Sequence, residues 1–332
     1  MHRKNLLRFD RFLRSYLYGK KGYYAKPVSS KGSDYLTAPQ LSPAYCRFLV
    51  LYLKKVAAQE FRDKDFSLID LGSGFGELAE IMLQTFSGHP VTAVEISPRR
   101  RKIIAKRIKF NNLRIVPTVS CLDFSIPSAL IIANEFFDAL PVRIFLREDG
   151  LKELFVDRYA RTYIFKPVKK INVPTTLLAW IKTIPEGTIF EFESSLPEIA
   201  TNLSNFRNAV LVVVDYGFKI HEIERFNHGT VVGFSKNRFV NNVLDKIFDG
   251  EFLDITHQVN FTFLGEELKK HGWHELFYGT LARFVIENNH LLEKFAVAEE
   301  RKQILELILG HRFGDSFKVA VYVKKMTEIV DK

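Results

Sequence analysis

The stretch FSLIDLGSGFGELAEIMLQTF, residues 66–86, constrains the fold more than any other part of the chain. A short apolar run of strand length ends at Asp70 and passes into Gly72, Gly74 and Gly76. Leu78, Ile81, Met82 and Phe86 then recur at helical spacing. Strand, glycine turn and helix in direct succession begin a unit in which parallel strands alternate with helices. The alternation continues downstream. PVTAVEIS reads as a second strand, and Ser97-Pro98 supplies a cap and a first-turn proline for the helix RRRKIIAKRIKF. LRIVP and ALIIAN read as two more strands. The expected fold class is α/β, with a doubly wound, mostly parallel sheet.

The flanking segments have a different texture. Residues 4–18 and 43–60 carry apolar positions near a 3.6-residue period and are expected as helices. The polar loop between them, GYYAKPVSSKGSDYLTAPQLSP, is longer than ordinary connections and is expected to be either functional or disordered. VRIFLREDGLKELFV predicts a hairpin turning at Asp149-Gly150, and NAVLVVVDYG a buried strand. Residues 264–271 and 280–309 are expected as helices, and WHELFYG and SFKVAVYVKK as late strands. Residues 157–207 are mixed, and 216–262 show weak periodicity. The organisation expected is an N-terminal helical extension and lid loop over 1–62, then a core of 63–142 and 208–325. Within that core 216–262 is a loop-rich segment, and an α+β insertion occupies 143–207.

Composition removes several alternatives. A chain of 332 residues with 47% hydrophobic content can bury a substantial core. No apolar run reaches the ~18 residues of a membrane span, and the basic N-terminus lacks the apolar stretch of a secretory signal. Cys46 and Cys121 are far apart with no CxxC, which predicts neither disulfide framework nor zinc site, and a reducing, cytoplasmic setting. The nine histidines are scattered without ligand spacing, so no metal is expected. The net charge of +10 can attract nucleic acid or acidic protein surfaces, although solubility and a Lys-rich residue bias are the stronger account of it. Oligomeric state is left open, a homodimer included.

The spacing of the glycine loop is GxGxG, with an acid just before the first glycine. A carboxylate at a strand tip repels a dinucleotide's pyrophosphate and attracts a cation. S-adenosylmethionine (SAM) carries a sulfonium and an ammonium and no phosphate, so the charge at Asp70 favours it. Glu95, at the end of the next strand, is placed to accept hydrogen bonds from ribose hydroxyls, as acids there do in both cofactor classes. Asp123, after the third strand, is a candidate adenine contact or an ordinary loop acid. Ligands sit beyond the carboxyl ends of such strands, where ALIIAN runs into Asn134, Glu135 and Asp138. The Pro-Pro-aromatic motif that grips planar base amines is missing here. Two carboxylates can instead hold a guanidinium by paired, charge-assisted hydrogen bonds and aim one nitrogen at a methyl donor. A structural reading competes, with Asp138 capping a helix and Glu135 paired to a nearby cation.

The segments GSDYLTAPQLSPAY, DLGSGFGEL, VEISPRRR, IIANEFFDALPV, GTIFEFESSLPEIA, VVVDYG, HGTVVGF, DITHQVNFT and GDSFKVAVY follow one another in an order and spacing that resemble the MidA family of SAM-dependent methyltransferases. The resemblance runs from about residue 19 to 323. It implies a class I, Rossmann-like methyltransferase fold with a seven-stranded sheet and added segments. It further implies SAM held by Asp70, the three glycines, Glu95 and Asn134, with Tyr35 and Thr37 in the site wall. Glu135 and Asp138 are then the expected catalytic pair. Mitochondrial members methylate an arginine of a respiratory complex I subunit and assist its assembly, which implies a protein client. Departures are also visible. The family's usual His and Asp fall at Gln258 and Asn260, and another frequent His at Asn237, while His257 is one place away. A non-catalytic SAM-binding assembly factor and an RNA methyltransferase therefore stand as alternatives to a protein arginine methyltransferase.

Overall fold

The computed structural model describes residues 6–25, 42–61, 65–169, 173–235, 238–295, 297–309 and 314–325. The chain divides into two compact units.

One unit comprises Leu36–Phe136, Glu198–Tyr216 and Leu268–Lys332. It is built on strands β1 (Ser67–Leu71), β2 (Val91–Val94), β3 (Leu113–Val116), β4 (Ser128–Asn134), β5 (Asn208–Phe218), β6 (Trp273–Thr280) and β7 (Phe317–Lys324). Their order is β6-β7-β5-β4-β1-β2-β3. The pairs β1·β2, β1·β4, β2·β3 and β4·β5 are parallel, and β7 runs antiparallel to both β5 and β6. Every residue of β1 and β4 is buried, as in parallel strands covered on both faces, whereas the edge strand β3 is largely accessible. The expected mixed α/β sheet is present. Among the described residues it counts eight strands rather than seven, because the two-residue strand Val259–Asn260 pairs with Gly217 and Phe218 at the end of β5, all four residues belonging to the other unit.

Helices α1 (Pro43–Glu60), α2 (Glu77–Thr85) and α3 (Pro98–Arg107) form where the spacing predicts them. Ser42 and Ser97 cap the first and third, each accepting a backbone N–H three residues on, and a proline opens each first turn. The expected helix over 280–309 is broken into Leu281–Glu287, a 3-10 turn Asn289–Lys294 and Ala298–Leu309. At the break, the side-chain amide of Asn288 donates to the Phe284 carbonyl and ends the first helix.

The other unit comprises Met1–Tyr35, Phe137–Pro197 and Gly217–Glu267. The expected helix over 4–18 begins only at Phe9. Leu6–Arg8 is a strand paired with Phe155–Asp157, so tertiary pairing overrides helical spacing there. The helix Phe9–Tyr18 buries Phe9, Phe12, Leu13 and Leu17 among Val142, Ile144, Leu154 and Val156. The hairpin joins Val142–Arg147 to Leu151–Asp157, and Asp149 and Gly150 both have positive φ at its turn. The weakly periodic 216–262 region contains the strands Val232–Ser235, Arg238–Val240 and Asp254–Thr256 in one small sheet. Strands of three or four residues are too short to show alternation.

This unit also buries acids. Glu193 is 2% exposed and its Oε2 has no hydrogen-bond partner among the described residues. Burial, with Glu191 adding to it, raises its carboxyl from an ordinary 4.5 to about 8. The folded value exceeds the unfolded one, so the stability that Glu193 confers is complete below pH 4.5 and is lost as pH rises through 8. Melting of the wild type and of Glu193→Gln from pH 5 to pH 9 tests this. Over that range the melting temperature of the wild type is expected to fall by roughly 3 °C more than that of Glu193→Gln, and parallel curves would refute the assignment.

Candidate active site

The turn from β1 to α2 is tied to the tip of β2. The N–H groups of Gly72 and Ser73 both donate to the Val94 carbonyl, at 2.9 and 3.0 Å. All three glycines have positive φ, but they serve different ends. A Cβ on Gly72 would lie 2.9 Å from Cδ2 of Phe136, and one on Gly76 would lie 3.0 Å from Cδ1 of Ile108. Among the described residues, a Cβ on Gly74 would meet only the Gly72 carbonyl oxygen, at 3.9 Å. Gly72 thus allows close approach of the β4 exit, Gly76 allows helix packing, and Gly74 leaves open space beside its backbone. Such a division of roles is familiar in turns that bring backbone against a cofactor.

Two acids surround the turn. Glu95 accepts the Gly74 N–H at Oε2 (3.0 Å) and the Ser97 N–H at Oε1 (2.7 Å), joining the glycine turn to the start of α3. Burial pushes its carboxyl up, and Arg100 partly offsets this. Asp70 is 2% exposed, and its Oδ2 has no hydrogen-bond partner among the described residues. Burial raises its carboxyl to about 7, against the hydrogen bonding of Ser73. A buried carboxylate oxygen left unpaired is costly unless a donor or a cation meets it. The site therefore fits a cationic cofactor such as SAM, with Asp70 and Glu95 as the acids and the open face of Gly74 as the backbone surface. Asp123 is placed differently. It is exposed, pairs with Arg114 at 3.3 Å and accepts the Ser125 N–H at 2.9 Å, and these contacts, Ser125 first, hold its carboxyl below the usual range.

At the end of β4 the backbone turns sharply. Glu135 has φ 50, a left-handed conformation uncommon for any residue but glycine. Its N–H donates to the Val214 carbonyl at 2.9 Å, and the Phe136 N–H donates to Oδ2 of Asp215 at 3.2 Å. Asp215 is fully buried in β5. Asn134 accepts the Tyr45 hydroxyl at Oδ1 (2.6 Å), and its Nδ2 donates to Oε1 of Glu135 (3.3 Å). The Tyr45 bond brings α1 to the strand exit, where burial, and then the charges of Glu77, Asp70 and Glu135, push the Cys46 thiol up. Motifs alone do not reveal Tyr45 and Asp215. Their signals are a tyrosine in the first turn of a capped helix and a lone acid in the apolar run NAVLVVVDYG.

Asp70, Gly72, Gly74, Gly76, Glu95, Asn134 and Glu135 thus share one unit, while Asp138 belongs to the other. No helix follows Asp138 for it to cap. Its carboxyl accepts the Thr256 hydroxyl at 3.0 Å, and burial, opposed by Thr256 and aided by Asp254, raises it to about 7. His257 is buried, and burial lowers its imidazole to about 4, so it is neutral near pH 7. Asn260 caps the helix Phe261–Lys269, accepting the Thr262 and Phe263 N–H groups at 3.1 and 3.4 Å. Asn caps as well as Asp, so a family Asp changed to Asn costs the fold little here. Tyr35, Thr37 and Asn237 lie outside the described residues.

A mostly parallel sheet whose first strand ends in a glycine turn, with an acid closing the second strand, defines a protein built to hold a small nucleoside cofactor at its strand tips. The chain belongs to the family described as "Putative S-adenosyl-L-methionine-dependent methyltransferase", whose family model matches residues 47–279. Its cofactor is accordingly SAM, as the MidA resemblance implies. Among curated relatives, protein arginine methyltransferase NDUFAF7, mitochondrial, of Xenopus laevis is 26% identical over 288 residues, 74% of this chain and 62% of that one. The Danio rerio protein of the same name is 26% identical over 166 residues, 41% of this chain and 39% of that one. The chain thus spans less than two thirds of the length of either. A Burkholderia thailandensis superfamily member, crystallised with S-adenosyl-homocysteine, shares the fold with a TM-score of 0.78 at 21% identity, over 97% of this chain and 89% of that one.

Proposed function

We propose that the protein transfers a methyl group from SAM to an arginine side chain of a protein client, on a class I methyltransferase core. Bound SAM supplies an electrophilic methyl group. Asp70, Glu95 and the backbone of Gly74 are the residues to hold it. Glu135 carries the reading, because a carboxylate locked in a left-handed backbone conformation at the strand exit is a strained feature of the kind that clusters at functional sites. Its oxygens can accept guanidinium N–H groups, fix the side chain's plane and keep positive charge on the nitrogens it holds. The names of the curated relatives support arginine, and the MidA resemblance supports a respiratory-complex subunit.

The absence of the family's usual His at Gln258 favours a second reading, a SAM-binding assembly factor that performs no transfer. One experiment separates them. The protein is incubated with tritiated SAM and extract from cells lacking it, and the label is followed through protease and nuclease digestion. Label released as methylarginine is expected. Label confined to nucleic acid, or no label with SAM bound, would overturn the arginine reading.

A further inference from the structure

We propose that Tyr45 is a positioning residue for methyl transfer, setting the Glu135 carboxylate through the side-chain amide of Asn134. The inference rests on the reading of Glu135 given above.

Tyr45 lies in the first turn of α1, where the cap at Ser42 holds its backbone N–H. Its ring is fully buried and its hydroxyl donates to Oδ1 of Asn134 at 2.6 Å. With Oδ1 so engaged, the amide must present Nδ2 to its other neighbour, and that neighbour is Oε1 of Glu135 at 3.3 Å. The flipped amide would set Oδ1 against the carboxylate, two acceptors facing each other. The hydroxyl therefore selects the one amide orientation that attracts Glu135. Burial first, and then the charges of Glu135 and Asp215, push the phenol well above its usual range, so it remains a donor at any working pH. The geometry of the strand exit does not need this hydroxyl. Glu135 and Phe136 are held there through their own N–H groups by Val214 and Asp215. What the hydroxyl adds is side-chain orientation, and small misplacements of a reacting group cost rate rather than stability.

The test measures initial rates at saturating tritiated SAM, with protein extract from cells lacking the chain as acceptor. Tyr45→Phe, Asn134→Ala and the double variant are compared with wild type, and SAM affinity is measured by calorimetry. Tyr45→Phe is expected to be slower by roughly tenfold, the effect of one lost hydrogen bond, with SAM affinity within about twofold of wild type. The double variant is expected to be no slower than Asn134→Ala alone, because Tyr45 acts through Asn134. A wild-type rate in Tyr45→Phe, loss of SAM affinity in it, or single effects that multiply in the double variant would each overturn the inference. An inert wild-type chain would bring down the underlying reading, and this one with it.

Discussion

Replacing Glu135 with glycine is expected to lower methyl transfer by ~10²–10³ while leaving the protein at least as stable as before. The left-handed conformation, φ 50, costs a non-glycine residue ~1–2 kcal/mol. Glycine removes that strain and gives back ~0.5–1 kcal/mol in chain entropy. The long hydrogen bond from Asn134, 3.3 Å, subtracts little. Glu135→Gln is the companion variant. It keeps the strain and the side-chain length but loses the charge that guanidinium recognition needs, so it should be as slow as the glycine variant without its gain in stability. Thermal melts and initial rates with tritiated SAM read both effects. A glycine variant that transfers methyl near the wild-type rate would remove Glu135 from the reaction.

The part of this protein that follows local rules is readable from the residues. Asp70, the three glycines and Glu95 lie within one strand-turn-helix-strand unit, and periodicity locates each element, with the Ser97 cap marking the helix that follows. The parts set by distant pairing are not readable. Leu6–Arg8 carries a helix's spacing yet forms a strand because Phe155–Asp157 offers an edge. The Tyr45 hydroxyl meets Asn134 across 89 positions, and the Phe136 N–H meets Asp215 across 79. No motif of fixed spacing records such contacts. Asp123 shows another contact that position alone does not record. Its place after the third strand suggests adenine, and its carboxylate also pairs with Arg114 and accepts the Ser125 N–H. Asn260 shows how a substitution at a family position can be absorbed, since the amide oxygen still caps the helix that follows.

Gly72→Val is expected to abolish SAM binding, lowering affinity by at least ~100-fold, and to destabilise the fold as well. At φ 75 a β-branched residue is a steric outlier, at a cost of ~1–2 kcal/mol. Its Cβ would also lie 2.9 Å from Cδ2 and 3.4 Å from Cβ of Phe136. Phe136 cannot withdraw easily, because Asp215 holds its backbone N–H. Overpacking of this kind adds ~1–3 kcal/mol. The relief available is to lift the turn, which breaks the bonds from Gly72 and Ser73 to the Val94 carbonyl and carries Gly74 away from Glu95. Gly74→Ala is the control that separates fold from ligand. Its φ of 57 is also left-handed, but its Cβ enters open space, so the melting temperature should drop much less than in Gly72→Val. SAM affinity should still fall, because the new methyl stands on the face proposed to meet the cofactor. Calorimetric titration with SAM beside thermal melts of both variants decides the matter. Gly72→Val binding SAM as wild type does would mean that the cofactor lies elsewhere, and Gly74→Ala binding unchanged would remove that face from the site.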